Sequence, residues 1–230
     1  MIHKDKDVDD DVDSGDGSED DEDTDDKIMM FEYVSDLIPS LSKAMGMEFK
    51  IFFIKMYTSL MLLTQKNHDV DEKIQVMGTF AQTFKHIPVL IEIYQDKFIR
   101  LFEELLKEND DEINRNVAFG AGVFCQKGTQ AMLTHFPRVL KVLSQIFEES
   151  TSLESKENAL AAIARMIMAS PENVPVEEVN NMNINTFNIL FAKCLQKIIS
   201  NAPFKGDLEE EKTIIKMLIF LCQKSQYILT

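Results

Sequence analysis

Apolar residues recur along most of this chain at three- and four-residue intervals, the spacing of one buried helix face. From Ile28 onward, Phe31, Val34, Leu37, Ile38 and Leu41 mark a first helix, in which Pro39 should force a kink or a restart. Phe49, Phe52, Phe53, Met56, Leu60 and Leu63 mark a second, from about Glu48 to Thr64. A third carries Ile74, Met77, Phe80, Ala81 and Phe84 and stops at His86-Ile87-Pro88. Its partner runs to about Glu108 on Leu90, Ile93, Tyr94, Phe98, Leu101, Phe102 and Leu105. Asn109-Asp110-Asp111 offers an N-cap, and a helix with Ile113, Val117, Gly120, Ala121 and Phe124 inward follows. Lys127-Gly128 is a stop with Gly in the C′ role. Leu133, Phe136, Leu140, Leu143, Ile146 and Phe147 form the next stripe, bent at Pro137. Another helix opens at Ser152–Ser155 with Ala159, Ala162, Ile163, Met166 and Ile167 inward.

Three of these stretches repeat one register. Lys73–Phe80, Arg115–Gly122 and Glu157–Ala164 align at a spacing of 42 residues and then 42 again. Helix pairs at a period of roughly 40–47 residues predict a HEAT or armadillo solenoid, whose core lies between neighbouring repeats. After Ser170-Pro171 a helix start is expected at Val174-Pro175-Val176-Glu177-Glu178. The register then slips in Asn180-Asn181-Met182-Asn183-Ile184-Asn185, a poor helix interior. Helical character resumes near Phe191–Ile199 and stops at Asn201-Ala202-Pro203. A last helix runs from about Leu208 to Gln223 on Ile214, Ile215, Leu218 and Leu221. The expectation is all-α: a right-handed superhelical stack of about four antiparallel helix pairs and an orphan helix over residues 28–230.

Only 8 Gly and 6 Pro in 230 residues fit few, long elements. The formal charge of −15 is concentrated: residues 1–27 hold fourteen Asp and Glu against three Lys. Such a segment cannot bury apolar area to offset its chain entropy, so 1–27 is expected to be a disordered acidic segment. Within it, Asp20, Asp21, Glu22 and Asp23 could steer basic proteins toward the chain. Ser18, ahead of Glu19-Asp20-Asp21, suits an acid-directed kinase. A solvated spacer is the plainer reading of the same charge run. On or just after the second helices stand Glu92, Asp96, Glu103, Glu104 and Glu108, then Glu148 and Glu149. Glu103, Glu104, Glu148 and Glu149 are the candidate cargo-binding strip, with a solvated helix face the competing reading.

Catalytic and metal chemistry finds no pattern to rest on. Asp9, Asp11 and Asp13 have calcium-loop spacing, but Ser14 stands where a Gly is needed. His3, His68, His86 and His135 pair with no Cys or Glu at ligand spacing. Gly120-Ala121-Gly122 with Lys127-Gly128-Thr129 has the wrong order for a phosphate loop and no preceding strand, so close helix packing is expected there. Met and Phe at helical spacing read as core. Cys125, Cys194 and Cys222 give no disulfide framework and fit a reducing compartment. No signal peptide is expected at Met1–Asp5, and the longest apolar run falls far short of a bilayer span. No enzyme activity, cofactor, membrane insertion or direct nucleic-acid contact is expected.

Several runs resemble importin-beta-type transport receptors, in the branch of importin-four and importin-five. They are Arg115–Val123, Glu157–Ile167, Val174–Val179, Ala202–Glu210, and Ser35-Asp36-Leu37-Ile38 behind an acidic stretch. The resemblance covers nearly the whole chain and is to the C-terminal part of a much larger receptor; Asn180–Leu190 departs from it. It implies a nuclear import receptor shuttling between cytoplasm and nucleus through the nuclear pore. The implied partners are basic cargo of the histone or ribosomal-protein kind, and Ran and nucleoporins through the full-length receptor. A generic HEAT scaffold and a histone-type acidic chaperone are the alternatives.

Overall fold

A computed structural model describes residues 19–128, 130–169 and 184–228, with side chains over 29–128, 132–169 and 193–223. Residues 1–34 and 35–230 are separate compact units. In the first, the described stretch is the N-terminal part of helix α1 (Glu19–Met45). Helix therefore begins inside the segment expected to lack structure. The expectation for residues 1–18, the calcium-loop residues included, lies outside the described residues.

Residues 35–230 are a HEAT-type stack of antiparallel helix pairs. After the end of α1 come α2 (Lys50–Leu62), α3 (Val70–His86), α4 (Val89–Leu105), α5 (Asp111–Lys127), α6 (Phe136–Glu149), α7 (Leu153–Ala169), α8 (Ile184–Asn201) and α9 (Leu208–Ile228). First helices α3, α5, α7 and α9 pack in sequence, and α4 packs on α6. Each of these first helices opens on a polar cap. Asp69 and Glu72 form a capping box on α3. Asp110 Oδ1 accepts from the amides of Glu112 and Ile113 at 2.9 Å. Ser152 Oγ accepts from Ser155 at 3.2 Å, and Asp207 Oδ1 from Glu209 and Glu210 at 3.1 Å. Each cap satisfies amides that no helical carbonyl can reach, a contribution of about 1 kcal/mol.

The core has two textures. Toward the N-terminal side it is aromatic, with Phe98 set edge-on to Phe80 at 4.9 Å and to Phe84 at 4.8 Å, and Tyr57 stacked on Tyr94 at 3.9 Å. Such pairs add about 0.5–1.5 kcal/mol each beyond area burial. Between α5 and α7 it is built of small residues. A Cβ on Gly122 would stand 2.9 Å from the Ala162 Cα, so the two backbones approach as closely as they do because neither carries a larger side chain there. This is the packing role expected for Gly120-Ala121-Gly122. Helix α7 is surrounded by α5, α6, α8 and α9, and is buried along most of its length from Ser155 to Ile167.

Several local expectations need correction. Pro39 sits inside an unbroken α1. Pro137 lies in the first turn of α6, where its missing N–H leaves no bond unmade; a 3-10 helix, Gln130–His135, precedes it. Gly128 ends α5 but is not left-handed (φ −67°); its requirement is space, since a Cβ would meet Met132 Cγ at 2.2 Å. Phe52, Ile93 and Ile215, assigned to buried stripes, are about half exposed. Helix α8 already begins at Ile184, so Ile184-Asn185 and the stretch to Leu190 are helical. The helix start at Val174–Glu178 and the asparagine run as far as Asn183 lie outside the described residues.

Candidate interaction faces

The aligned register places Lys73, Arg115 and Glu157 at one repeat position, and each reaches toward the adjoining repeat. Lys73 Nζ, 2% exposed, lies 3.2 Å from Glu108 in the turn before α5. Arg115 donates to Glu154, at the start of α7, at 2.9 Å. Glu157 reverses the polarity. Its carboxylate accepts from the amides of Lys205, Gly206 and Asp207 at 2.7, 2.8 and 2.8 Å. Next to it, Asn158 donates to Asp207 at 2.9 Å. The same position thus ties its helix to the turn or the repeat that follows, with a cation twice and an anion once.

About two turns further on, Arg165 of α7 donates through Nη2 to both carboxylate oxygens of Glu210 at 2.7 Å, and its guanidinium stands 5.5 Å from the Phe119 ring centroid. Both partners are almost wholly buried. A buried charge is tolerated only when paired and hydrogen-bonded, so this pair fixes how α9 seats on α7. These staples account physically for much of Glu157–Ile167 and Ala202–Glu210. The 42-residue spacing was the signal that could have found Lys73 and Arg115 as equivalent residues.

The candidate cargo strip is on or beside the second helices, but its carboxylates are engaged. Glu103 takes both ends of Arg138 at 3.0 and 2.7 Å, tying α4 to α6. Glu104 accepts from Lys107 at 2.7 Å, Glu148 from Lys197 of α8, and Glu149 from Gln145 at 2.9 Å. The partner cations hold Glu103, Glu104 and Glu148 below the ordinary carboxylate range, chiefly through those hydrogen bonds, so all three stay ionised at neutral pH. Three of the four are in exposed ion pairs, and Glu149 is hydrogen-bonded to the neutral Gln145, so the face is not a bare acidic strip. Asp20, Asp21, Glu22 and Asp23 fall in the opening turns of α1, in the separate N-terminal unit.

Among the described residues no group of His, Cys, Asp and Glu could hold a metal ion, and no helix is long and apolar enough to cross a membrane. Burial pushes the Cys125 thiol far up, away from thiolate chemistry.

No protein-family model matches the chain. Human importin-4 is 28% identical over 198 residues, which is 86% of this chain and 17% of that protein. Mouse importin-4 is 27% identical over the same length. A probable importin subunit beta-4 from Schizosaccharomyces pombe is 21% identical over 215 residues, 93% of this chain and 19% of its own length. The chain therefore resembles a portion of an importin, as its motifs imply, and spans less than a fifth of the length of these curated relatives.

Proposed function

We propose that this chain is a stretch of a nuclear import receptor whose second-helix layer engages basic cargo proteins. The observation that carries the reading is the row of exposed, ion-paired carboxylates on a rigidly stapled stack. An exposed ion pair is worth only about 0–1 kcal/mol. A lysine- or arginine-rich segment can therefore displace Lys107 from Glu104, or Lys197 from Glu148, at small cost. Many such exchanges along one surface add up, and the register of the stack sets their spacing. The likeness to importins supports transport as the purpose. Asp20–Asp23 would add long-range attraction and speed association with cargo of the histone or ribosomal-protein kind. Engagement of Ran and nucleoporins, and shuttling through the pore, are proposed for a receptor of the relatives' length.

The test is a binding titration with a lysine-rich cargo peptide at several salt concentrations. Reversing Glu104, Glu148 and Glu149 to Lys should weaken binding by about tenfold or more and flatten its salt dependence. Glu103 is left intact because it also ties α4 to α6. Unchanged affinity sinks the strip. Deleting residues 1–27 should slow association and spare the complex; loss of all binding would favour an acidic chaperone instead.

A further inference from the structure

Between α2 and α4 lies a cleft of about 660 Å³, a volume typical of ligand sites. Its floor is apolar: Tyr57, Met61 and Leu62 from α2, Leu101 and Leu105 from α4. Lys66, Lys97 and Arg100 line it beside two carboxylates, Glu104 and Glu108, which are already engaged by Lys107 and Lys73. Lys97 stands over the stacked tyrosine pair, 5.2 Å from the Tyr57 centroid and 5.7 Å from that of Tyr94. Lys66 and Arg100 form no ion pair among the described residues. In a chain of net charge −15, this cleft is lined by three cations against two carboxylates, and Lys66 also acts on Glu104.

An independent observation comes from a buried tyrosine of the cleft. Tyr57 is 5% exposed, lines the cleft, and its hydroxyl has no hydrogen-bond partner among the described residues. Burial, with Tyr94 adding to it, pushes its pKa up to about 12, so the hydroxyl keeps its proton and is a standing donor. Buried polar groups are almost always partnered, and an orphan donor lining a cationic cleft asks for an acceptor from outside.

We propose that the α2–α4 cleft is a docking site for a short acidic peptide segment of a partner protein. Lys66, Lys97 and Arg100 take its carboxylates, Tyr57 donates to one of its oxygens, and one large apolar side chain rests on Leu101 and Leu105. Glu104 lines this cleft as well as belonging to the cargo strip, but Lys66, Lys97 and Arg100 disfavour basic cargo within the cleft itself. The cleft is therefore a second recognition site, one whose existence does not depend on the basic-cargo reading.

The test uses the intact chain and fluorescein-labelled peptides read by anisotropy. A short peptide of Asp and Glu with one Phe or Leu should bind. Replacing its acids by Asn and Gln, or its apolar residue by Ser, should each weaken binding by about tenfold. The double variant Lys97→Glu, Arg100→Glu should abolish binding while leaving the thermal melt in place, and Lys66→Glu should weaken it. Tyr57→Phe, which removes only the hydroxyl, should lower affinity severalfold; Lys216→Glu on α9 should change nothing. Equal binding by the acid-only peptide or by a lysine-rich one, or indifference to the double variant, overturns the proposal. So does Arg100-dependent sedimentation with phosphatidylserine vesicles in the absence of peptide binding, which would make the cleft a membrane contact.

Discussion

Thr79 Oγ1 lies 3.1 Å from the carbonyl oxygen of Ser35, across the junction between α3 and α1, in a buried position. Pro39 explains the bond. The helical donor to Ser35 would be the amide of residue 39, and proline has none. Its carbonyl would be orphaned, and the Thr79 hydroxyl of the neighbouring repeat stands within reach, its one proton shared between Ser35 and the Gln75 carbonyl at 2.8 Å. A proline that should break α1 is thereby accommodated within it.

Thr79→Val keeps the shape and removes the donor, so it should destabilise by about 1–3 kcal/mol in chemical denaturation, the cost of an unpaired buried carbonyl. Thr79→Ser should cost much less. In the Pro39→Ala background residue 39 regains its amide, so Thr79→Val should cost clearly less than alone. Additivity of the two changes would mean that Thr79 does not serve the gap left by proline.

The Arg165–Glu210 pair predicts a different signature. Glu210→Gln or Arg165→Met alone should cost about 3–5 kcal/mol, because each leaves a charge buried without its counterion. Replacing both by Met should recover much of the loss. Because the pair joins α7 to α9, hydrogen exchange in the single variants should accelerate in α9 and leave the aromatic core near Phe98 protected.

Glycine positions in the shared register should respond oppositely to one added methyl. At Gly78 a Cβ would meet only Asn116 Oδ1, at 3.9 Å, so Gly78→Ala should stabilise α3 by about 0.5–1 kcal/mol. At Gly122 the same change drives a carbon into the α7 backbone and should destabilise by about 1–3 kcal/mol. Thermal melts of the two variants should shift in opposite directions.

The repeat and two of its helix starts were legible because they are local: Asp110, Ser152 and the 42-residue register need only the chain's own order. What was not legible depends on which neighbours lie across a helix. Ile93 and Ile215 fit the apolar period, yet point where no helix of the described structure packs. Glu103 was found as a surface acid, but its role as a tie needs Arg138, 35 residues on. The α2–α4 cleft joins Tyr57 to Arg100 through two separate repeats and has no linear signature at all.

His135 gives the stack a sensitivity to mild acid. Burial lowers its pKa from the ordinary value of about 6.5, Asp96 at 3.7 Å opposes that shift, and Arg138 assists it. The unfolded chain thus binds the proton more readily than the folded one. The stability that neutral His135 provides is complete above about pH 6.5 and is lost as pH falls from there through the lower folded value. Melting temperature should therefore fall between about pH 7 and pH 5, and His135→Gln should flatten that slope. His86, lowered by its own burial and by Lys43, Lys85 and Lys127, should leave a smaller remainder of the same sign. Asp96→Asn should steepen the slope, because the carboxylate is what partly compensates the buried imidazolium. A slope unchanged in both variants would place the acid sensitivity elsewhere, with the depressed carboxylates such as Asp111, whose contribution is lost only below about pH 4.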